Sequence, residues 1–243
     1  MASTATCPWA CHKQAMERNA PMDEQLMQIM QARVNTYQLL SRFYFKEVDS
    51  TFYQDLLAMD FPTNTGNETV DKGYGTIRNY LSAPHPGVMT ELAVDYARTF
   101  IGHGNNGYSA AYPFESVYTS AKRLLMQGAR DEVLVLYRAA GLEKKDSWKD
   151  GEDHIALELE FMQILAQRTV DALADDSEDE AYALLLRQQS FLEDHLLGWF
   201  PMMESDMKKF AKTDFYRGLA DLTRGFLETD LELINELVSE DSE

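Results

Sequence analysis

The sequence predicts an all-α protein, a single irregular helical bundle of about ten helices. Three observations predict it. Apolar residues recur at three- and four-residue spacings through most of the chain. No segment shows the alternation of a half-buried strand. Pro and Gly interrupt the helical pattern often and the connections are short, which excludes one long coiled coil.

Residues 1–22 have no sustained period and read as an N-terminal tail. The helical domain is expected over 23–238, with an acidic tail at 239–243. Within 23–46, Leu26, Ile29, Met30, Val34, Tyr37, Leu40, Phe43 and Tyr44 share one helical face. Asp49 or Ser50 is placed to cap the next helix, 51–59. Pro62, Asn64 and Gly66 mark a loop, and the helical pattern resumes over 69–81. A further helix is expected over 88–101, with Leu92, Tyr96 and Phe100 aligned. Helices are then expected over 116–127 and 129–140, the second stopped by Gly141, and over 153–174. The acidic run 175–180 opens a helix to about residue 197, where its negative charge suits a helix start. Gly198-Trp199-Phe200-Pro201 reads as a break before helices 202–212 and 215–238.

The chain has 243 residues, 45% of them hydrophobic, which suffices for one sizeable core. Its net charge of -18 repels phosphate backbones and anionic membrane surfaces, so nucleic acid is not an expected partner. The acidity either serves solubility or attracts a basic partner such as a cationic peptide. No apolar run reaches about 18 residues, so no stable membrane insertion is expected. The N-terminus lacks the pattern of a secretory signal, and the only cysteines are Cys7 and Cys11. A disulfide framework is excluded, and a reducing cytoplasm is the expected compartment.

The densest local signal runs from Tyr96 to Tyr118. A helix gives way to a Gly/Asn-rich loop and then to a cluster of Tyr108, Tyr112, Phe114 and Tyr118 around Pro113. Leaving that much aromatic surface in water is costly, at about 25 cal/mol per Å². The loop must therefore pack back onto the fold or receive a ligand. Pro113 holds Tyr112 in an extended conformation, so the chain enters Phe114 extended.

Tyr96-x-x-x-Phe100 followed by Tyr112-Pro113-Phe114-Glu115-Ser116-Val117-Tyr118 resembles the signature of the TorD/DmsD family of cytoplasmic molybdoenzyme maturation chaperones. A second family signature, Glu-Pro-x-Asp-His, is matched in part by Asp150-Gly151-Glu152-Asp153-His154. A third patch, Phe191-Leu-x-x-His195-Leu-x-x-Trp199-x-Pro201 with Phe215-Tyr216 and Leu219-Ala220, is also similar to the family. The resemblance covers residues 31–230. Thr99 stands where the family often has Leu, and Asp150-Gly151 replaces Glu-Pro, which loosens that connector.

The resemblance implies an all-α fold and a chaperone with no chemistry, cofactor or metal of its own. It implies two partners: the catalytic subunit of a molybdoenzyme and its twin-arginine signal peptide. It also implies that export is delayed until the molybdenum cofactor is in place. Binding an Arg pair followed by an apolar stretch needs carboxylates beside an apolar aromatic groove. Phe100, Tyr112, Pro113, Phe114 and Tyr118 are the expected apolar wall; Glu115, Ser116, Asp153 and His154 offer polar groups at motif positions. A related client is a membrane-anchored nitrate reductase without a classical signal peptide. The expected state is a monomer, or a dimer that exchanges a domain across the connector before Asp153.

An enzymatic reading has little support. The sequence holds no G-x-S-x-G, H-E-x-x-H, P-loop or C-x-x-C. Residues three before the histidines are Trp9, Ser82, Phe100, Gly151 and Leu192, so the Glu-x-x-His pairs of a di-iron bundle are absent. Gly102-x-Gly104-x-x-Gly107 spells a dinucleotide fingerprint, but a helix precedes it where a strand is required. Cys7-Pro-Trp-Ala-Cys11-His12 resembles a haem-attachment sequence with one extra residue, or half a zinc site. The remaining acid/base candidates are Asp153, His154 and Glu158, placed to orient a ligand, coordinate a metal or cap the helix. A hydrolase or nucleotide-binding protein would have to use Asp153 and His154. Glu-Asp-His recurs at 193–195, and its loosely similar flanks read as coincidence.

Overall fold

Asp49 and Asn67 set the frame of the first three helices. The computed structural model describes residues 22–83, 85–102 and 109–240. Helix α1 spans Met22–Phe45, α2 Ser50–Ala58 and α3 Glu68–Leu81. Asp49 accepts the Phe52 N–H and caps α2. The Asn67 side chain accepts from Thr69 and Val70 and caps α3. Helix α4, Val88–Tyr96, runs on into a π turn, Ala97–Ile101.

Short helices α5, Glu115–Thr119, and α6, Gly128–Ala139, follow. Then come α7, Ile155–Ala174, and α8, Glu178–Phe191. A second π turn, Leu192–Leu196, leads into α9, Leu197–Phe210, and α10, Asp214–Glu240, completes the bundle. The architecture is the all-α bundle the sequence predicts.

Helix α1 packs along α7, and α3 along α10. The second pairing is unusually close. A Cβ on Gly73 would lie 2.5 Å from the Leu222 backbone nitrogen, and one on Gly225 2.8 Å from that of Val70. Glycine at both positions is what lets these backbones approach. Trp199, Tyr37, Tyr44, Tyr74, Phe215 and Phe226 fill the core.

Two charged networks lie inside it. Arg33 on α1 makes two hydrogen bonds to Asp230 on α10 and one, at 2.7 Å, to Gln188 on α8. Tyr37 donates to the same Asp230 at 2.6 Å. Asp95 on α4 receives the Lys212 and Thr213 amides and the Thr213 hydroxyl, and so caps the start of α10.

The two largest departures from the sequence expectation concern where helices stop. The helix expected over 116–127 ends at Thr119. Ser120 Oγ accepts the Leu124 amide, and Arg123 and Met126 take positive φ, so the chain turns there. The break expected at 198–201 does not occur, since Pro201 lies inside α9. Trp199, Phe200 and Met203 are fully buried around it, and that burial outweighs the one backbone bond a proline removes.

Candidate functional site

The first two sequence motifs, nearly forty positions apart, meet at one antiparallel bridge between Phe114 and His154. Pro113 keeps the first segment extended, and the segment before α7 lies along it. The Glu115 amide donates to the Asp153 carbonyl and the Ile155 amide to the Pro113 carbonyl, both at 2.9 Å.

Asp153 is not the first-turn residue of α7 that its position in sequence implies. It lies before the cap of that helix and serves another. Helix α5 has Phe114 at its N-cap, a side chain that cannot accept a hydrogen bond. The Asp153 carboxylate supplies the missing acceptor, taking the Ser116 amide at 2.9 Å. It is fully buried, and its Oδ1 has no hydrogen-bond partner, like the Ser116 hydroxyl.

His154 caps α7. Its Nδ1 accepts the Ala156 amide at 3.1 Å, which places the proton of the neutral ring on Nε2. The ring stands edge-on to Phe114 and Trp148, both with centroids 4.9 Å away. Burial lowers its pKa to about 3, so it stays neutral. Gly151 sits tight against this corner: a Cβ there would lie 2.6 Å from Asp153 Oδ1. Glu152, also buried, pairs with Arg130 and Lys144.

Glu115 is 3% exposed and pairs with His195, whose Nδ1 lies 3.0 Å from Oε2. Burial disfavours the imidazolium, but the hydrogen bond and charge of Glu115, with Glu132 and Asp194, outweigh it and raise the His195 pKa. Below Glu115, Trp199 donates to Glu158 Oε2 at 3.0 Å. Burial, reinforced by the charges of Glu115 and Asp153, pushes Glu158 well above the usual carboxyl range, so it is held protonated. Tyr118 stacks on Trp199 at 5.5 Å. Phe100 lies apart, against Tyr44, Tyr96 and Tyr216. Of the expected binding residues, only Tyr112 and Phe114 are half-buried; the other seven are buried.

The open concavity lies on the far side of His195. A groove of about 830 Å³ runs between α6 and α8, floored by Phe161 and Phe191 and walled by Val135, Leu136 and Leu186. Val135 is 64% exposed, so the groove presents apolar surface to water. Glu132, Asp194 and His195 stand on its lining. The third sequence patch thus marks one edge of the groove through Phe191 and His195. The Glu-Asp-His repeat that reads as coincidence places Asp194 and His195 there. Glu132 and Leu136 sit at i and i+4 on an ordinary amphipathic helix, and nothing in sequence distinguishes them from surface positions.

A second concavity, between Glu68 and Glu228, is polar. Its cations are already engaged: Lys72 and Lys208 with Asp221, Arg224 with Glu228. Among the described residues, no group of three or more His, Cys, Asp and Glu converges to hold a metal, and no helix is long and apolar enough to cross a membrane. The Cys7, Cys11 and His12 pattern and most of the Gly102–Gly107 pattern fall outside the described residues.

A family model described as nitrate reductase delta subunit matches residues 66–204. That stretch contains the bridge, the buried carboxylates and the groove. The chaperone protein TorD of Vibrio cholerae serotype O1 (El Tor Inaba N16961) is 25% identical over 230 residues, covering 90% of this chain and 99% of that protein. TorD of Vibrio parahaemolyticus is 27% identical over 140 residues, covering 58% of this chain and 62% of the relative. TorD of Photobacterium profundum is 29% identical over 140 residues, with the same coverage of 58% and 62%. These last two alignments span less than two thirds of the relatives' length.

Proposed function

The chain belongs to the nitrate reductase delta subunit family, the TorD-type molybdoenzyme maturation chaperones, and from that premise we propose that it is a cytoplasmic chaperone for the twin-arginine signal peptide and immature form of a molybdenum-cofactor oxidoreductase. In this reading it assists cofactor insertion and delays export, and it catalyses no reaction itself.

The observation that carries the proposal is the groove between α6 and α8. Its floor and walls are apolar, and carboxylates stand on its rim. That pairing of surfaces suits a segment with an Arg pair followed by an apolar stretch. The net charge of -18 draws such a segment in over long range.

The motif residues take supporting roles in this reading. Glu115, Ser116, Tyr118, Asp153 and His154 brace the wall behind His195, while Phe100 and Pro113 fix the approach of the loop. Tyr112 and Phe114, which keep some exposure, add a second apolar contact for the immature client.

A calorimetric titration with a synthetic peptide, an Arg pair followed by a Leu/Ala stretch, tests the proposal. Micromolar binding that weakens with added salt and is lost when the Arg pair becomes Ala-Ala supports it. No binding of either peptide refutes it. The name of the matched family favours one alternative, a nitrate-reductase-type client without a classical signal peptide. Under that alternative, an apolar N-terminal peptide lacking the Arg pair binds equally well.

A further inference from the structure

The groove has a direction. Along α6, Glu132, Val135, Leu136 and Ala139 face it in turn; along α8 and the following π turn, Leu186, Arg187, Ser190, Asp194 and His195 do so. Tyr137 and Phe191 both pack on Phe161 of α7, at 4.8 Å, while two turns along α7 Arg168 donates to the Ala140 carbonyl and Thr169 accepts from Gln188, so Glu132 and Asp194 share one end. The two walls therefore run antiparallel. One end carries Glu132, Asp194 and the Glu115–His195 pair. The other carries Ala139, Leu186 and Arg187, the one Arg or Lys among the described lining residues. At 1.5 Å per residue, the seven positions from Glu132 to Ala139 span about 10 Å, or two helical turns.

The motif carboxylates are poorly placed to grip an incoming cation. Glu115 is buried against His195. Asp153 is fully buried and holds the Ser116 amide. Glu158 is buried under Trp199. A guanidinium reaching any of them would have to enter the interior and shed its own water. Glu132 and Asp194 are exposed, on opposite walls, and engaged in none of the described ion pairs.

We propose that Glu132 and Asp194 read the Arg pair of the client segment, one guanidinium each, with the apolar stretch running from them toward Leu186 and stopping before Arg187. This rests on the reading of the groove as the signal-peptide site. Glu115 is a positioning residue that acts through His195 and does not touch the peptide. Arg187 sets the polarity, since a segment laid the other way would bring its Arg pair against a like charge.

The test is an anisotropy titration of two fluorescent peptides, the Arg-pair Leu/Ala segment and its Ala-Ala counterpart. The full-length chain is compared with Glu132→Gln and Asp194→Asn. Both substitutions are isosteric and exposed, and circular dichroism melting checks that the fold is kept. The expected result is a roughly tenfold weaker Kd for the Arg-pair peptide with each variant, with the Ala-Ala peptide unchanged. Arg-dependent binding by the unaltered chain that both variants retain in full overturns this inference and leaves the functional proposal standing. A loss confined to one variant, or an equal loss for both peptides, overturns the two-sided grip. Failure of the unaltered chain to bind either peptide removes the functional proposal, and this inference with it.

Discussion

Asp153→Ala should destabilise the bundle through a helix that Asp153 does not belong to. The Ser116 amide, which donates to Asp153 Oδ2 at 2.9 Å, is left in the interior with no acceptor. An unsatisfied buried amide costs about 1–3 kcal/mol, and loss of an N-cap about 1 kcal/mol. These are two views of one interaction and do not add. A partial offset comes from relieving Glu158, which feels the Asp153 charge. The net expectation is a loss of about 2 kcal/mol. With a urea m-value of about 3 kcal/mol/M, the unfolding midpoint falls by about 0.7 M. Asp153→Asn keeps an acceptor but loses the charge, and should recover about half of the loss. Urea unfolding followed by circular dichroism measures both. A midpoint for Asp153→Ala within 0.1–0.2 M of the unaltered chain, which at that m-value is under about 0.6 kcal/mol, would refute the capping role.

Three further outcomes follow from the interior. Glu158→Gln keeps the acceptor for Trp199 and removes a titrating carboxyl whose folded pKa is raised. The original carboxyl stabilises fully below its ordinary value near 4.5 and loses that contribution as pH rises, so the variant should gain on the unaltered chain between pH 5 and 8; a difference independent of pH in thermal melts would contradict this. Asp230→Ala strands the Arg33 charge and the Tyr37 hydroxyl and should cost about 3–5 kcal/mol in urea unfolding, while Arg33→Met with Asp230→Leu should recover most of it. Gly73→Ala should destabilise by about 1–3 kcal/mol despite alanine's better helix propensity, because its Cβ meets the Leu222 backbone; a gain in melting temperature would contradict the close approach of α3 and α10.

The helices were legible because their faces repeat. The Leu26–Tyr44 stripe, the Asp49 cap and the Gly141 stop are local patterns, and each stands where periodicity and capping chemistry place it. Two local rules failed where packing or turn chemistry overrode them. Pro201 sits inside α9 because Trp199 and Phe200 are buried beside it, and Ser120 ends α5 early by capping Leu124. The candidate site was legible only as separate motifs. Sequence reading named Glu115, Asp153 and His154, but it could not show that Phe114 bridges His154, nor that Asp153 caps the other motif's helix, because those contacts are long-range. Glu132 was invisible altogether, since an exposed Glu on an amphipathic helix gains significance only from the wall it faces.

The proposed function places a segment with an Arg pair and an apolar stretch in the groove between α6 and α8. Photo-crosslinking tests it most directly, with a benzophenone placed in the apolar stretch of the synthetic peptide and the adducts mapped by mass spectrometry. Adducts are expected on Val135, Leu136 and Leu186, suppressed by excess unlabelled Arg-pair peptide. Adducts concentrated instead on the exposed Leu124–Met126 turn, or around Lys72 and Lys208, would contradict it.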